Sequence, residues 1–419
     1  SAAWKQKGVV TPVPASDEVF LRRAWLDLAG RAPTVAEARA FLADRSPDKR
    51  ARLVDALLAS EAHVSHAFNQ WADILRFKSR YTNTANVVPA AYARWLRESL
   101  RKNQPYDAFV RDLLSAEGYA WDNGAIGYYL RDPGMPLDNL ALTSRVFLGT
   151  RIECAQCHDH PLEPITQKDF YQMTAFTFGV SNLGKPGGYS PANVKQWPEL
   201  KAKMAALGND KTLFDSVSST IAPLKRLTLD TEMQLKFPES YPYDAELRGK
   251  PVEPRTLFGD DAVVSDGNRR KALAEWMTSP RNPRFAKNIA NRLWKRVMGK
   301  GVYEPVDEYI PTAKTTYPGL IGYLGSLMVE LNYDLRAFQH VLLLTRTFQF
   351  DANPNPSSIE GGDDFHGRKI ERLSSEQIWD SLITLAAGDP DKQPARPLDS
   401  RIFVGGKPVL VVKIRGGIR

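Results

Sequence analysis

The chain has 419 residues, of which 43% are hydrophobic and 25% are charged, and its formal charge is +8 at pH 7. This composition is ordinary for a soluble globular protein, and no transmembrane span is predicted because charges interrupt every apolar run. The basic residues form no long block, so we expect no nucleic acid as a partner and only a mildly basic surface, with an acidic polysaccharide or an acidic redox protein left open. The length predicts about two or three domains.

Helical periodicity dominates the first 179 residues. Several apolar stripes follow side chains whose oxygens can accept from the free N–H groups of a first helical turn. These predicted N-terminal caps are Ser16, Thr34 with its capping-box partner Glu37, Ser46 followed by Pro47 at the first helical position, and Thr166 with Asp169. Gly149 is predicted to end the helix that runs to about residue 147.

Periodicity is poor over 180–265, which is punctuated by Gly and Pro, and only a short strand near 227–229 is indicated. The sequence therefore predicts a mainly α protein with a helical domain at 1–179. An irregular linker or insertion with minor β structure follows at 180–265. A second helical domain at 266–419 ends in a tail whose alternation of apolar with Gly and basic residues predicts a hairpin.

The two cysteines of the chain, Cys154 and Cys157, lie in the stretch RIECAQCHDHP together with His158. Cys-x-x-Cys-His is the attachment signature of haem c, in which both thiols form thioethers with the porphyrin and the histidine coordinates the iron. Both cysteines are then used and none is left over. We therefore predict that Cys154, Cys157 and His158 bind haem c, with His158 as the iron ligand.

Two other uses of these cysteines stay open. A disulfide would close a loop of only two intervening residues, which adds little stability and is better suited to a redox switch. A zinc site would need Cys154, Cys157, His158 and His160 to reach one ion from seven consecutive residues, whereas typical zinc sites draw ligand pairs from separate segments.

The sequence does not decide the roles of the groups around the motif. The short backbone tether keeps His160 on the same side of the porphyrin as His158. There it could contact a haem propionate, support the iron ligand, bind a second metal or cap its own turn. The distal position could be filled by Met173, Met135, His63 or His66, or could stay open. Met173 lies on an apolar stripe and is therefore also a candidate for simple core packing.

Polar residues of the second domain form two further groups. The first comprises Asn288, Asn291 and Arg292, which are more typical of a braced domain interface than of a substrate site. The second comprises Glu304, Asp307 and Glu308, which could serve acid–base or calcium chemistry but more often form a solvated loop. No hydrolase or nucleotide-binding motif appears in its required context.

Several long segments resemble a known family. FLRRAWLDLAGRAPTVAEARAFLADRSPDKRARLVDALL (20–58) and VFLGTRIECAQCHDHPLEPITQKDFYQMTAF (146–176) are similar to the first of two tandem domains common in planctomycete cytochrome-domain proteins. LAEWMTSPRNPRFAKNIANRLWKRVMGKGVYEPVDEY (273–309) and RLSSEQIWDSLITLAAG (372–388) are similar to the second. These are the domains of unknown function fifteen-forty-nine and fifteen-fifty-three. The resemblance implies an exported bacterial protein, often found near c-type cytochrome modules and polysaccharide-related genes.

The chain departs from that family at Leu162 and Ile165, where the family usually carries an aromatic residue and a tryptophan. We expect an extracytoplasmic c-type cytochrome-like protein that transfers single electrons to an extracytoplasmic redox partner. Because haem c is attached outside the cytoplasm, a periplasmic or extracellular location follows, and the start at SAAW fits a removed secretory signal. The alternatives are a structural or carbohydrate-binding protein that a haem or metal stabilises, and a haem enzyme acting on carbohydrate or peroxide.

Overall fold

The computed structural model describes most of the chain. The described ranges are 13–78, 87–120, 122–132, 135–181, 226–229, 233–264, 267–309, 317–351, 368–369, 371–388, 400–404 and 407–412. Over these residues the protein is mainly α, which confirms the predicted fold class.

The described helices follow the chain in three groups. The first group is α1 (Asp17–Leu28), α2 (Val35–Ala43), α3 (Lys49–Leu58) and α4 (Glu61–Ile74). The second is α5 (Val87–Arg101), α6 (Tyr106–Leu114), α7 (Gly127–Leu130), α8 (Pro136–Leu148) and α9 (Gln167–Thr174). The third is α10 (Arg269–Thr278), α11 (Phe285–Met298), α12 (Pro318–Glu330), α13 (Leu335–Leu344), α14 (Arg346–Gln349) and α15 (Ser375–Ala387).

Short strands supplement the helices. They are β1 (Gly118–Tyr119), β2 (Val180–Ser181), β3 (Arg226–Leu229), β4 (Ser400–Val404) and β5 (Lys407–Val412). Strand β3 lies between β1 and β2 and is antiparallel to both, with Gly118 opposite Leu227 and Val180 opposite Leu229. This strand covers the short run for which the sequence predicts β structure. Strands β4 and β5 form a separate antiparallel pair in the C-terminal tail.

The chain forms two compact units, each assembled from separated stretches. Unit 1 comprises 1–73, 290–303 and 314–419, and unit 2 comprises 74–289 and 304–313. The boundary between residues 289 and 290 falls inside helix α11. The cysteine motif belongs to unit 2. The division proposed from the sequence at 179 and 265 stays a prediction.

Local capping signals set most of the predicted helix starts. The hydroxyl of Ser16 accepts from the backbone of Val19, and the capping boxes of Thr34 and Thr166 are both formed. The predicted start at Ser46-Pro47 is wrong, because α3 begins at Lys49. The carboxylate of Asp44 accepts from both the backbone N–H and the hydroxyl of Ser46 and so holds that residue in a turn.

The core of unit 1 is built on the apolar face of α1 that the periodicity predicts. Phe20, Leu21, Ala24 and Leu28 on this face are at most 3% exposed. The ring of Phe348 meets Phe20 edge to face with centroids 6.0 Å apart, a favoured geometry for aromatic pairs. This contact joins α14 to α1, although the two helices are far apart in sequence.

The core of unit 2 joins its early and late helices. Tyr106 at the start of α6 stacks on Phe285 at the start of α11, with ring centroids 5.0 Å apart. Arg111 donates to the hydroxyl of Thr278 at 3.1 Å and so links α6 to α10. Among the described residues, no helix combines the length and the apolar character needed to cross a membrane.

Burial of His63 makes the stability of unit 1 depend on pH. The side chain is 5% exposed, and its Nδ1 donates to the carbonyl of Leu28 at 3.0 Å. Burial, reinforced by the positive charge of Arg296, lowers the pKa of His63 to about 3. In the unfolded chain a histidine takes up a proton near pH 6.5. The unfolded state therefore binds more protons between these two values, and the folded state loses stability as the pH falls through this window.

We expect His63 alone to lower the free energy of unfolding by about 2 kcal/mol between pH 6.5 and pH 5. The substitution His63→Gln keeps an amide donor but cannot titrate, so it should remove this share of the pH dependence. Urea unfolding of both proteins at the two pH values measures the difference. His340→Gln is the matched control, because His340 on α13 lies at the surface beside Asp55. Equal pH dependence in the wild type and in His63→Gln would contradict the assignment.

Candidate functional site

The cysteine motif forms a short helical turn that directly follows α8. Gly149 ends α8 with a φ of 59°, a left-handed conformation that glycine adopts without steric cost. A 3₁₀ turn then spans Glu153–Gln156. Ile152, directly before the turn, and Ala155 within it are fully buried. Core packing therefore fixes the turn from one side and leaves the other side free.

Both cysteines lie on the free side of this turn. Cys154 and Cys157 are exposed and are not joined by a disulfide. Cys154 lies within the turn and Cys157 directly follows it. The backbone N–H of Cys157 donates to the carbonyl of Cys154 at 3.2 Å and closes the turn. A group with two attachment points on one edge can reach both sulfurs from solvent.

His158 holds the tautomer that a metal ligand needs. Its Nδ1 lies 2.7 Å from the carbonyl oxygen of Asp159. A carbonyl can only accept, so Nδ1 carries the proton and Nε2 keeps its lone pair. Metal-bound histidines usually donate their second ring N–H in this way, which fixes the ring and raises its basicity.

His160 holds the opposite tautomer and caps its own loop. Its Nδ1 accepts from the backbone N–H of Leu162 at 3.2 Å and from that of Glu163 at 3.0 Å. The backbone N–H of His160 donates to the carbonyl of Ile165 at 2.8 Å. The lone pair of Nδ1 is thus in use, and Nε2 carries the proton of the neutral ring. Of the roles that the sequence leaves open, the structure shows the turn cap.

The four sequence-adjacent donors do not converge on one point. Within the described ranges, no group of three or more His, Cys, Asp or Glu side chains is arranged to hold a metal ion. The zinc alternative therefore gains no geometric support from Cys154, Cys157, His158 and His160. The thiols and His158 instead present separate attachment points along one turn.

An aromatic row lies beside the motif, and the sequence reasoning missed it. The row runs from Phe170 through Tyr171, Phe237 and Tyr241 to Tyr243, with neighbouring ring centroids 5.0 to 5.9 Å apart. At its outer end, the hydroxyl of Tyr243 accepts from the backbone N–H of Asp159 at 3.0 Å. Two of these rings belong to α9 and three to the segment 233–264.

Electrostatics connect this row to the motif. Burial raises the pKa of Tyr171, and the nearby Cys157 raises it further. Burial and then the charge of Asp159 raise the pKa of Tyr241. Both phenols therefore stay protonated at neutral pH. Leu162 is 65% exposed, whereas Ile165 is buried in the same apolar cluster as Phe237.

A buried ion pair closes the loop that follows the motif. Arg284 contacts both carboxylate oxygens of Glu163, one of them at 3.2 Å, and it also donates to the hydroxyl of Thr150 at 2.9 Å and the carbonyl of Tyr309 at 3.2 Å. Arg284 and Glu163 are both under 10% exposed. One guanidinium thus ties together the residues before and after the cysteine motif.

A second set of ion pairs holds the start of the motif. Asp307 accepts from Arg145 at 2.6 Å and from Arg151 at 2.8 Å, and Arg151 also contacts Glu308 at 3.1 Å. Burial raises the pKa of Asp307, but the hydrogen bonds from the two arginines outweigh it and leave the pKa below its usual value. From the sequence, these carboxylates were candidates for acid–base or calcium chemistry or for a solvated loop. In the structure, Asp307 and Glu308 hold the start of the cysteine motif through their ion pairs.

The asparagines of α11 also serve the backbone. Asn288 donates to the carbonyl of Val146 at 2.7 Å. Asn291 donates to the carbonyl of Tyr303 at 3.0 Å and accepts from the backbone N–H of Val302 at 2.7 Å. Both side chains are fully buried. This bonding agrees with a bracing role and leaves neither amide for a substrate.

The candidates for a distal ligand differ in accessibility. Met173 is fully buried in α9, whereas Met135 at the start of α8 is 50% exposed. His63 and His66 belong to unit 1, where both are buried and each is hydrogen-bonded through a ring nitrogen. Met173 therefore has the packing role that its apolar stripe allows, and the sixth position keeps no assigned ligand.

Two family models match separate parts of the chain. Residues 1–181 match PSCyt2, described as a protein of unknown function (DUF1549), and residues 269–401 match PSD1, described as a protein of unknown function (DUF1553). No curated protein and no solved structure shows significant similarity to the chain. The chain therefore carries a PSCyt2 domain and a PSD1 domain in tandem, the pair that its sequence resemblance predicts.

Proposed function

We propose that the protein holds one haem c through Cys154 and Cys157, with His158 as its axial ligand, and that it transfers single electrons. The observation that carries the proposal is the state of these three side chains. Both thiols are exposed and unpaired on one side of a fixed turn, and Nε2 of the adjacent His158 is free to coordinate. A bound haem c would supply a reversible one-electron iron couple.

The surrounding residues suit this role because they fix the turn before any group is attached. Ile152 and Ala155 anchor it from below, and the ion pair of Arg284 with Glu163 closes the following loop. Preorganised ligands lose little conformational freedom when they bind, so attachment does not need to order the chain. The hydrogen bond from His158 to the carbonyl of Asp159 makes Nε2 a stronger donor to iron.

The carboxylates near the motif support a carrier rather than a catalyst. Asp159 accepts from the backbone N–H of Gln167 at 2.9 Å, and Glu153 lies 3.8 Å from Arg145. Glu163 is engaged by Arg284. General acid–base chemistry requires a group positioned to exchange a proton with a substrate. All three carboxylates have structural partners, which favours electron transfer over substrate turnover.

The proposed location and partner follow from the chemistry of attachment. Haem c is joined to its thiols outside the cytoplasm, so the proposal includes a periplasmic or extracellular location and an extracytoplasmic redox protein as partner. The tandem PSCyt2 and PSD1 matches support this setting, because they are the pair of domains that the sequence resemblance to planctomycete cytochrome-domain proteins implies.

A structural role for the attached group is the second candidate. The motif shares one apolar cluster with α9 and with residues Leu235 to Val252. A group bound only to the folded state would stabilise this cluster by mass action. Spectra and redox titration separate the two candidates, because a purely structural group need not exchange electrons with a partner.

The first test of the proposal is the covalent bond. We expect protein purified from a host that attaches haem c to keep its haem absorbance on the polypeptide after extraction with acid and organic solvent. The double substitution of Cys154→Ser and Cys157→Ser should lose this absorbance and melt at a lower temperature. Haem that moves into the organic phase, or zinc in place of haem, would refute the proposal.

The two histidines of the motif should behave differently. We expect His158→Ala to lose the native absorption spectrum, since the free Nε2 is removed. His160→Ala should keep that spectrum but lower the free energy of unfolding by about 1 kcal/mol, because two backbone N–H groups lose their acceptor. Absorption spectroscopy and urea unfolding of the two variants provide the comparison. Loss of the spectrum in both variants would contradict the separate roles of the two rings.

The spin state of the iron separates carrier from catalyst. Electron carriers usually fill both axial positions, whereas haem catalysts leave one open. We expect electronic and resonance Raman spectra of the ferric protein to show a low-spin, six-coordinate iron that does not respond to modest cyanide or peroxide. A high-spin spectrum with rapid ligand binding would instead favour the haem-enzyme alternative.

A further inference from the structure

A cavity lined by many charged residues lies within unit 1, whereas the cysteine motif belongs to unit 2. Its volume is about 500 Å³, which is within the usual range of about 300 to 1,000 Å³ for small-molecule sites. This α1–α4 cavity is lined by one face of α1, one face of α4, Arg296 of α11, residues 368–369 and residues within 371–377.

The walls of the α1–α4 cavity carry charge where packed helices usually carry apolar side chains. Each of the two helices lines the cavity with one face, because the lining residues recur every third or fourth position. They lie between Val19 and Asp27 in α1 and between His66 and Asp73 in α4. Six basic and four acidic side chains line the cavity, which gives a net formal charge of +2. A polar interior face that departs from the usual pattern is typical of a functional site.

Among the residues that the structure describes, no carboxylate forms an ion pair with Arg296. The carboxylate of Asp27 is engaged by two hydrogen bonds from Arg368, one of them at 2.8 Å. Arg296 reaches only the backbone carbonyl of Asp27, at 3.4 Å. Burial lowers the pKa of Arg296 to about 10, and the charge of Asp27 offsets this only in part. A partly desolvated guanidinium of this kind favours an added anion.

On the α4 side of the cavity, two side-chain amide oxygens accept no hydrogen bond from the described residues. The side-chain nitrogen of Gln70 lies 2.9 Å from Nε2 of His66. An amide nitrogen can only donate, so Nε2 of His66 accepts and Oε1 of Gln70 is left over. That Oε1 and Oδ1 of Asn69 are buried without a hydrogen-bond partner. Buried acceptors of this kind are normally satisfied.

We propose that the α1–α4 cavity binds a hydroxylated organic anion of about the size of a monosaccharide. Its oxoanion would pair with Arg296 and the exposed Arg22, and its hydroxyl groups would donate to Asn69 and Gln70 after a small rotation of each amide. Hydroxyl groups suit this wall because they can donate to amide oxygens and accept from guanidinium groups at the same time. A carboxylate, a phosphate and a sulfate share the required anionic chemistry.

Isothermal titration of the full chain with D-glucuronate, glucose 6-phosphate and glucose 6-sulfate tests the proposal and identifies the oxoanion. Glucose and inorganic phosphate serve as comparison ligands, each carrying only half of the required chemistry. We expect at least one of the three sugar anions to bind about tenfold more tightly than either comparison ligand. The proposed cavity site does not depend on the haem proposal. Measuring the haem content of the same samples separates failure of one proposal from failure of the other.

Substitutions assign the binding to this cavity. Arg296→Gln should weaken binding of the sugar anion by about tenfold or more, and Arg22→Gln should weaken it less. Arg22 is exposed, so its variant remains informative if Arg296→Gln fails to fold. Arg52→Gln is the control, since Arg52 lies on the exposed surface of α3 and does not line the cavity. No binding of any sugar anion, equal binding of inorganic phosphate, or unchanged affinity in the Arg22 and Arg296 variants would overturn the proposal.

Discussion

The geometry of the cysteine motif depends on the buried guanidinium of Arg284. This side chain bonds to Thr150 before the motif, to Glu163 after it and to the carbonyl of Tyr309. Removing one partner of a buried ion pair costs about 3 to 5 kcal/mol, since the other charge is left unpaired in a poorly solvated place. The exposed thiols of Cys154 and Cys157 can therefore be held in fixed positions without contributing to the core themselves.

The turn that carries the cysteine motif has one buried side and one exposed side. Ile152 and Ala155 are fully buried, while Cys154, Cys157 and His158 face solvent. A short turn with this division can gain or lose an attached group without exposing its core. The neighbouring histidine, His160, contributes to the loop instead, because its Nδ1 accepts two backbone N–H groups.

Two arginines, one in each unit, differ in how completely their guanidinium groups are hydrogen-bonded. Arg284 in unit 2 has a full set of acceptors, as expected for a structural ion pair. Within the described part of the chain, Arg296 in unit 1 donates to a single acceptor, the carbonyl of Asp27 at 3.4 Å, and two amide oxygens of the neighbouring cavity accept no hydrogen bond. Complete bonding rigidifies the first site, whereas incomplete bonding at the second leaves interactions for a ligand to make.

The sequence by itself determined the features that depend on neighbours three or four residues apart. The caps at Ser16, Thr34 and Thr166, the apolar face of α1 and the end of α8 at Gly149 follow from local hydrogen bonding and periodicity. The motif itself is also local, because its three donors are consecutive along one turn. The start of α3 was misplaced because the side chain of Asp44 competes for the backbone of Ser46.

Only the tertiary structure decided which distant residues surround the motif. Tyr243 bonds to the backbone of Asp159 from 84 residues away, and Arg284 bonds to Glu163 from 121 residues away. No local pattern marks either partner, because Tyr243 lies in a Gly- and Pro-punctuated segment and Arg284 in a turn before α11. Contacts at such separations depend on how whole elements pack, and a single sequence carries no periodic signal for that packing.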